Sequence, residues 1–222
     1  MFAPIFVINP NCSEAVTAGI ARATARFSLP GGPAIECITL QDGPAAVQTQ
    51  RDISAVAMPL LAMAERCDAQ GSAIVIGCFS DPALSLLRER CKTPVFGIGE
   101  SAVLEALAQG ERFGVIGMTR GARGRHLRSY GAMGVLSRFA GELAVELTMG
   151  QLQSQDTTLA RLADIGRQLV DQHHADVLIM GCAGLADYRG PLQAALGVPV
   201  IDPSQAALAH ALGRVCLNRE SL

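Results

Sequence analysis

The sequence predicts an α/β fold of two similar, mainly parallel α/β halves, related by a pseudo-two-fold axis, with the active site in the cleft between them. Three observations lead there. Short apolar, β-branched runs alternate with longer Ala- and Leu-rich segments of helical period. Runs such as "VLIM" at 177–180 are apolar without interruption, the pattern of strands covered on both faces. The chain also repeats itself. "AIVIGC", a helix and "TPVFGIGESAVLEAL" match "VLIMGC", a helix and "VPVIDPSQAALAHAL".

In order, "PIFVINP" (4–10) is the first strand, with a helix from Ser13 behind it. The turn cluster "LPGGP" at 29–33 leads into the strand "AIECITL" (34–40). A long helix covers 48–70, followed by the strand "SAIVIGC" (72–78), a helix over 81–91, the strand "TPVFGIG" (93–99) and a helix over 101–110. "RFGVIGM" (112–118) opens the second half, with a helix over 119–130 and the strand "ELAVELT" (142–148). After a helix over 157–174 come "DVLIMGC" (176–182), a helix over 189–196, "VPVIDP" (198–203) and a closing helix over 204–217. The expected division is 1–100 with 205–222 as the half carrying Cys78, and 101–204 as the half carrying Cys182. Equivalent strand ends would then meet across a cleft, where open α/β sheets bind ligands.

Of the 222 residues half are apolar and 17% charged, enough for a full core. A formal charge of −2 gives no reason to expect nucleic acid or an anionic membrane as partner. No stretch reaches the roughly 18 unbroken apolar residues of a membrane span. The start, "MFAPIFVINPN", lacks a basic segment and a small-residue cleavage site, so a cytoplasmic protein is expected. The seven cysteines include no CxxC and no Cys/His set with zinc spacing, so no metal is expected. Cys37, Cys67, Cys91 and Cys216 read as small buried hydrophobes of a reducing compartment.

Cys78 and Cys182 are different. Each ends an apolar strand and precedes a helix start, where backbone N–H groups and the helix dipole should lower the thiol's pKa from about 8.5. The same N–H groups could hold a carboxylate or an enolate oxygen. Two matched acid/base groups suit inversion at a carbon α to a carbonyl, one removing a proton and the other returning one to the opposite face. The plainer reading is two buried cysteines at strand ends. A cysteine hydrolase is weaker, because no His occupies a matching strand end.

"VINPNCSEAVT", "DGPAAVQTQRD", "GCFSDPAL", "PVFGIGESA", "RFGVIGM", "GCAGLADY" and "GVPVIDPSQAA" resemble the aspartate/glutamate/hydantoin racemase superfamily, in particular its hydantoin and allantoin racemase branch. The resemblance runs from about residue 5 to residue 210. It implies a cofactor-independent racemase with Cys78 and Cys182 as the catalytic pair. The implied substrate is a small molecule, either a 5-substituted hydantoin or an acidic amino acid such as aspartate or glutamate. A decarboxylase or cis–trans isomerase on the same scaffold, or a non-catalytic small-ligand-binding protein, are the alternatives.

The resemblance also implies substrate contacts from the side chains of Asn9, Ser80 and Thr119, and from the backbone amides of Phe79, Ser80, Ala183 and Gly184. An Asx turn at Asn9 and helix caps at Ser80 and Thr119 are the simpler readings. Phe79 should make the mouth of the site apolar, and Cys12 would bring a third thiol near it. Arg120, Arg123, Arg125 and Arg128, with His126 among them, read as a solvated helix face. A homo-oligomer is the expected assembly.

Overall fold

Strands β1 (Ile5–Asn9), β3 (Ala73–Ile76), β5 (Phe113–Gly117) and β7 (Val177–Met180) are buried at every residue. Such strands belong in the middle of parallel sheets with both faces covered. They take that place in the computed structural model, which describes residues 2–146 and 155–218. With β2 (Ile35–Thr39), β4 (Val95–Gly97), β6 (Phe139–Ala144) and β8 (Val200–Ile201) they form two four-stranded sheets. The orders are β2-β1-β3-β4 and β6-β5-β7-β8, and all pairs are parallel. The two halves thus match strand for strand.

The helices are α1 (Glu14–Thr24), α2 (Gln50–Ala55), α3 (Ala57–Asp68), α4 (Leu84–Arg90), α5 (Ile98–Gln109), α6 (Arg123–Ala132), α7 (Gln155–Asp171), α8 (Arg189–Leu196) and α9 (Pro203–Leu217). Their ends follow local chemistry. Thr49 and Asp52 form a capping box at α2, Asp202 and Pro203 start α9, and Gly197, at φ 70°, stops α8. On α3, Leu60, Ala64 and Cys67 recur at helical spacing and pack on Ile74 and Ile76. On α7, Leu162, Ile165 and Leu169 do the same against Leu178 and Met180.

The remaining faces are covered crosswise. Helix α9 follows the second sheet, yet Ala207, Leu208 and Ala211 pack against Ile5, Val7, Ala73 and Val75 of the first. Helix α5 follows the first sheet, yet Ala102, Val103 and Ala106 pack against Phe113, Val115, Val177 and Ile179 of the second. The two helices also pack on each other. Each sheet is closed by the helix that follows the other sheet in the chain.

Some expectations shift. The helix expected over 48–70 is two helices meeting at Val56. Strand β6 begins at Phe139 rather than 142, because it pairs with β5 from Phe113↔Phe139 to Gly117↔Ala144. The last two positions of that expected strand, 147 and 148, lie outside the described residues. Strand β4 stops at Gly97, since α5 already includes Ile98 and Gly99. Helix α4 starts only at Leu84, because Asp81 and Ala83 turn the chain at positive φ. Cys216 is exposed rather than buried.

Candidate active site

The two thiols lie on equivalent turns. Gly77 follows β3 and Gly181 follows β7, and each N–H extends the sheet by one more bond. Gly77 donates to Ile8 and Gly181 to Ile116, both at 2.8 Å. A Cβ at these glycines would sit 3.1 and 3.0 Å from those carbonyl oxygens, so only glycine fits without a shift. Cys78 and Cys182 come next. Each sulfur accepts the backbone N–H of the residue two places on, Ser80 for Cys78 and Gly184 for Cys182.

The residue between each cysteine and its donor anchors the turn in the opposite half. Phe79 is buried with Phe113, Val115 and Ile201, and Ala183 with Ile5, Val7 and Ala207. Both turns are therefore stitched into the seam between the halves. The thiols are close enough there that charge on Cys182 raises the pKa of Cys78. Both cysteines are half-buried. Phe79 is more deeply placed than a residue at the mouth of a site, with its ring edge-on to His126 at 5.0 Å.

The thiols are not acidified. Burial pushes Cys78 up to about 12 and raises Cys182 as well, and the Ser80 and Gly184 amides only partly offset it. The expected lowering required an α-helix N-terminus at each sulfur. Instead α4 starts at Leu84, and a 3₁₀ helix (Ala183–Tyr188) separates Cys182 from α8. Two carboxylates add to the rise, Asp81 at Cys78 and Asp202 at Cys182. Burial likewise pushes these carboxyls up, to about 7 for Asp81 and about 6 for Asp202.

Asn9 sits at the end of β1, fully buried. Its Nδ2 donates to Asn11 Oδ1, the Ser13 carbonyl and Thr17 Oγ1 at 3.0–3.1 Å, and its Oδ1 accepts the Asn11 N–H. That is the Asx-turn reading, with the amide committed to its own loop. Thr119 is exposed and makes no side-chain cap on the 3₁₀ turn that follows (Arg120–Ala122). It lines a groove of ≈ 510 Å³ with Arg120, Arg123 and Arg161. Cys12 is half-buried, and its N–H holds the Pro44 carbonyl at 3.0 Å.

Ser80 has a second role. Its Oγ lies 3.2 Å from His126 Nε2, whose Nδ1 lies 3.0 Å from both oxygens of Glu142. His126 is thus no part of a solvated face. Sequence reasoning missed it because arginines surround it. The available signal was its i,i+4 spacing to Tyr130, the other buried residue of α6. Asp81, Asp202 and Glu142 were missed as well. Among the described residues, no cluster of three or more His, Cys, Asp or Glu side chains could hold a metal ion, and no helix is long and apolar enough to cross a membrane.

Two matching α/β halves with a thiol on each side of their seam define the class, and the comparisons with known proteins name it. Residues 5–211 match the Asp/Glu/Hydantoin racemase family, and the chain belongs to it. A hydantoin racemase of Paenarthrobacter aurescens is 30% identical over 221 residues, covering 98% of this chain and 93% of that protein. A hydantoin racemase of Rhizobium meliloti is 31% identical over 218 residues, covering 92% and 85%. Allantoin racemase from Klebsiella pneumoniae shares the fold, with a TM-score of 0.91 at 24% identity over 99% of this chain and 90% of that one.

Proposed function

We propose that this chain is a cofactor-independent racemase that inverts the carbon α to a carbonyl in a small molecule, a 5-substituted hydantoin or an acidic amino acid. Cys78, from the half formed by 1–100 and 205–222, serves one face, and Cys182, from 101–204, serves the other. Of the expected amides, those of Phe79 and Ala183 are the candidates for holding the developing oxyanion, since those of Ser80 and Gly184 are donated to the sulfurs.

The observation that carries this reading is the matched placement of two thiols, each on the turn that follows a central strand and each turn packed into the seam between the halves. Charge on Cys182 raises Cys78, so the pair resists double ionisation. One thiolate and one thiol, a base facing an acid, is the state that two-base inversion needs. Burial that raises both thiols keeps the proton-donating partner as a thiol at neutral pH, the form the acid role needs.

The test is the optical rotation of enantiopure 5-substituted hydantoin, aspartate and glutamate, with chelator present and no cofactor added. Rotation of one of them should decay to zero while the compound is conserved. Unchanged rotation for all three substrate types would overturn the reading. Release of carbon dioxide from a malonate-type acid in place of racemisation would assign the scaffold to decarboxylation.

A further inference from the structure

Glu142, His126 and Ser80 form a hydrogen-bonded chain that ends beside Cys78. The imidazole and carboxylate side chains are only 6% and 3% exposed. A carboxylate accepts and does not donate, so the hydrogen shared with Glu142 sits on His126 Nδ1. In the neutral imidazole Nε2 is then a bare lone pair, and the 3.2 Å bond to Ser80 is donated by the serine hydroxyl. That uses the hydroxyl's only hydrogen. Ser80 Oγ is left with lone pairs alone, while its backbone N–H holds the Cys78 sulfur.

The arrangement is built into the fold. Gly117 makes room for it, since a Cβ there would lie 2.7 Å from Glu142 Oε1. Replacing a buried pair of this kind with apolar residues is often neutral or stabilising, which leaves orientation as its contribution. The second half has no counterpart, because Gly184 stands where Ser80 does. The thiols have matched amide donors and an unmatched hydroxyl, so an asymmetric substrate can be held one way round.

We propose that Glu142 and His126 are positioning residues that fix the Ser80 hydroxyl as a hydrogen-bond acceptor beside Cys78, and that Ser80 thereby selects a substrate presenting a ring N–H at that point. The proposal rests on the racemase reading and deepens it toward a neutral cyclic amide. An amino acid also offers an N–H, as its ammonium, but it brings carboxylates that need donors. Arg125 is the cation whose charge reaches Cys78, and its terminal nitrogens are bonded to the carbonyls of Gly121 and Gln48 at 3.2 and 2.7 Å. Its Nε is buried without a hydrogen-bond partner, so aspartate and glutamate remain the competing substrate class.

The experiment compares a 5-substituted hydantoin with its two mono-N-methyl forms in the wild type, Ser80→Ala and Glu142→Gln, with kcat and KM read separately. The wild type should show a KM raised about tenfold for at least one methylated form, the loss of one hydrogen bond. Ser80→Ala should raise KM for the parent compound by a similar factor, lower kcat less, and lose the discrimination. Glu142→Gln keeps shape, but its amide can donate to Nδ1. The imidazole hydrogen then moves to Nε2 and Ser80 turns into a donor, so this variant should behave like Ser80→Ala. Both variants keeping the wild-type KM and the wild-type discrimination would overturn the proposal, as would a loss confined to kcat. A wild type that racemises aspartate or glutamate but no hydantoin would overturn it while leaving the racemase reading intact.

Discussion

The carboxylate of Asp81 caps α5 as that of Asp202 caps α9. Asp81 accepts the amides of Gly99 and Glu100 at 2.9 and 2.6 Å, and Asp202 accepts those of Gln205, at 2.8 Å, and Ser204. The two are not sequence equivalents. Asp202 corresponds to Gly97, where a Cβ would run into the Asp81 carboxyl group, and Asp81 corresponds to Leu185. Each crossing helix keeps an acid at its head, taken from a different position, and each acid raises the thiol beside it.

If the two positions are interchangeable, the carboxylate can be moved. Asp81→Gly should cost about 0.5–2 kcal/mol through the lost cap, partly offset because the residue sits at φ 45°. Gly97→Asp alone should cost roughly 1–3 kcal/mol through crowding against Asp81. The double variant rebuilds the second half's geometry in the first and should be more stable than either single variant's loss predicts. Urea unfolding of all four proteins checks this. Simple additivity would show that the two sites are unrelated.

This compensation also marks what the sequence could and could not disclose. No strand order was read from the sequence, whereas the two matching α/β halves were within reach because "AIVIGC" and "VLIMGC" repeat along the chain. The cysteine pair was too, because each Gly-Cys sits at the end of a continuous apolar run. Asp81 stayed hidden because its partner amides at 99 and 100 lie far along the chain, and no local pattern shows a side chain reaching another helix. Glu142 and His126 stayed hidden for a similar reason. Their contact joins an edge strand to a helix that reads as solvated from its arginines. The acidity of the thiols was misjudged because proximity to a helix in sequence did not place a helix terminus at the sulfur.

The buried acids set a pH dependence of stability. Burial raises Asp202 from 3.8 to about 6 and Asp81 to about 7, so the folded state binds these protons more tightly than the unfolded chain. Stability contributed by their protonation is full below about pH 4 and is lost as pH rises through about 6 to 7. Asp81 is half-buried, so its share is discounted, whereas Asp202 is 1% exposed. Asp202→Asn should flatten the fall in urea midpoint between pH 5 and 7.5 relative to the wild type. An unchanged slope would remove Asp202 as its source.

Thiol labelling should separate the cysteines. Thiolate is the reactive form, so burial that raises Cys78 to about 12 and also raises Cys182 should make both slow toward iodoacetamide near pH 7.5. Exposed Cys216 should label first. Peptide mass spectrometry over time reads the order, and the Cys78 rate should still be climbing at pH 9–10. If Cys78 reacted as fast as Cys216 at neutral pH, its thiol would be acidified after all.

The division of labour between the thiols gives the sharpest test. Cys78→Ser and Cys182→Ser should each abolish racemisation, because a serine hydroxyl is far too weak an acid to take the thiol's part. General acid/base groups contribute about 10²- to 10⁴-fold, so a loss in that range is expected from either substitution. Each variant keeps one thiol on one face of the seam, with its own amide donor, Gly184 or Ser80. In heavy water that thiol can still remove and replace the α-proton of the enantiomer it faces, so each variant should exchange one enantiomer without inverting it. The two variants should prefer opposite enantiomers, as seen by loss of the α-proton NMR signal at constant optical rotation. Near-full racemisation by either variant cannot be reconciled with a two-thiol mechanism. Exchange of the same enantiomer by both would keep the cysteines in the site but place them on one face of the substrate.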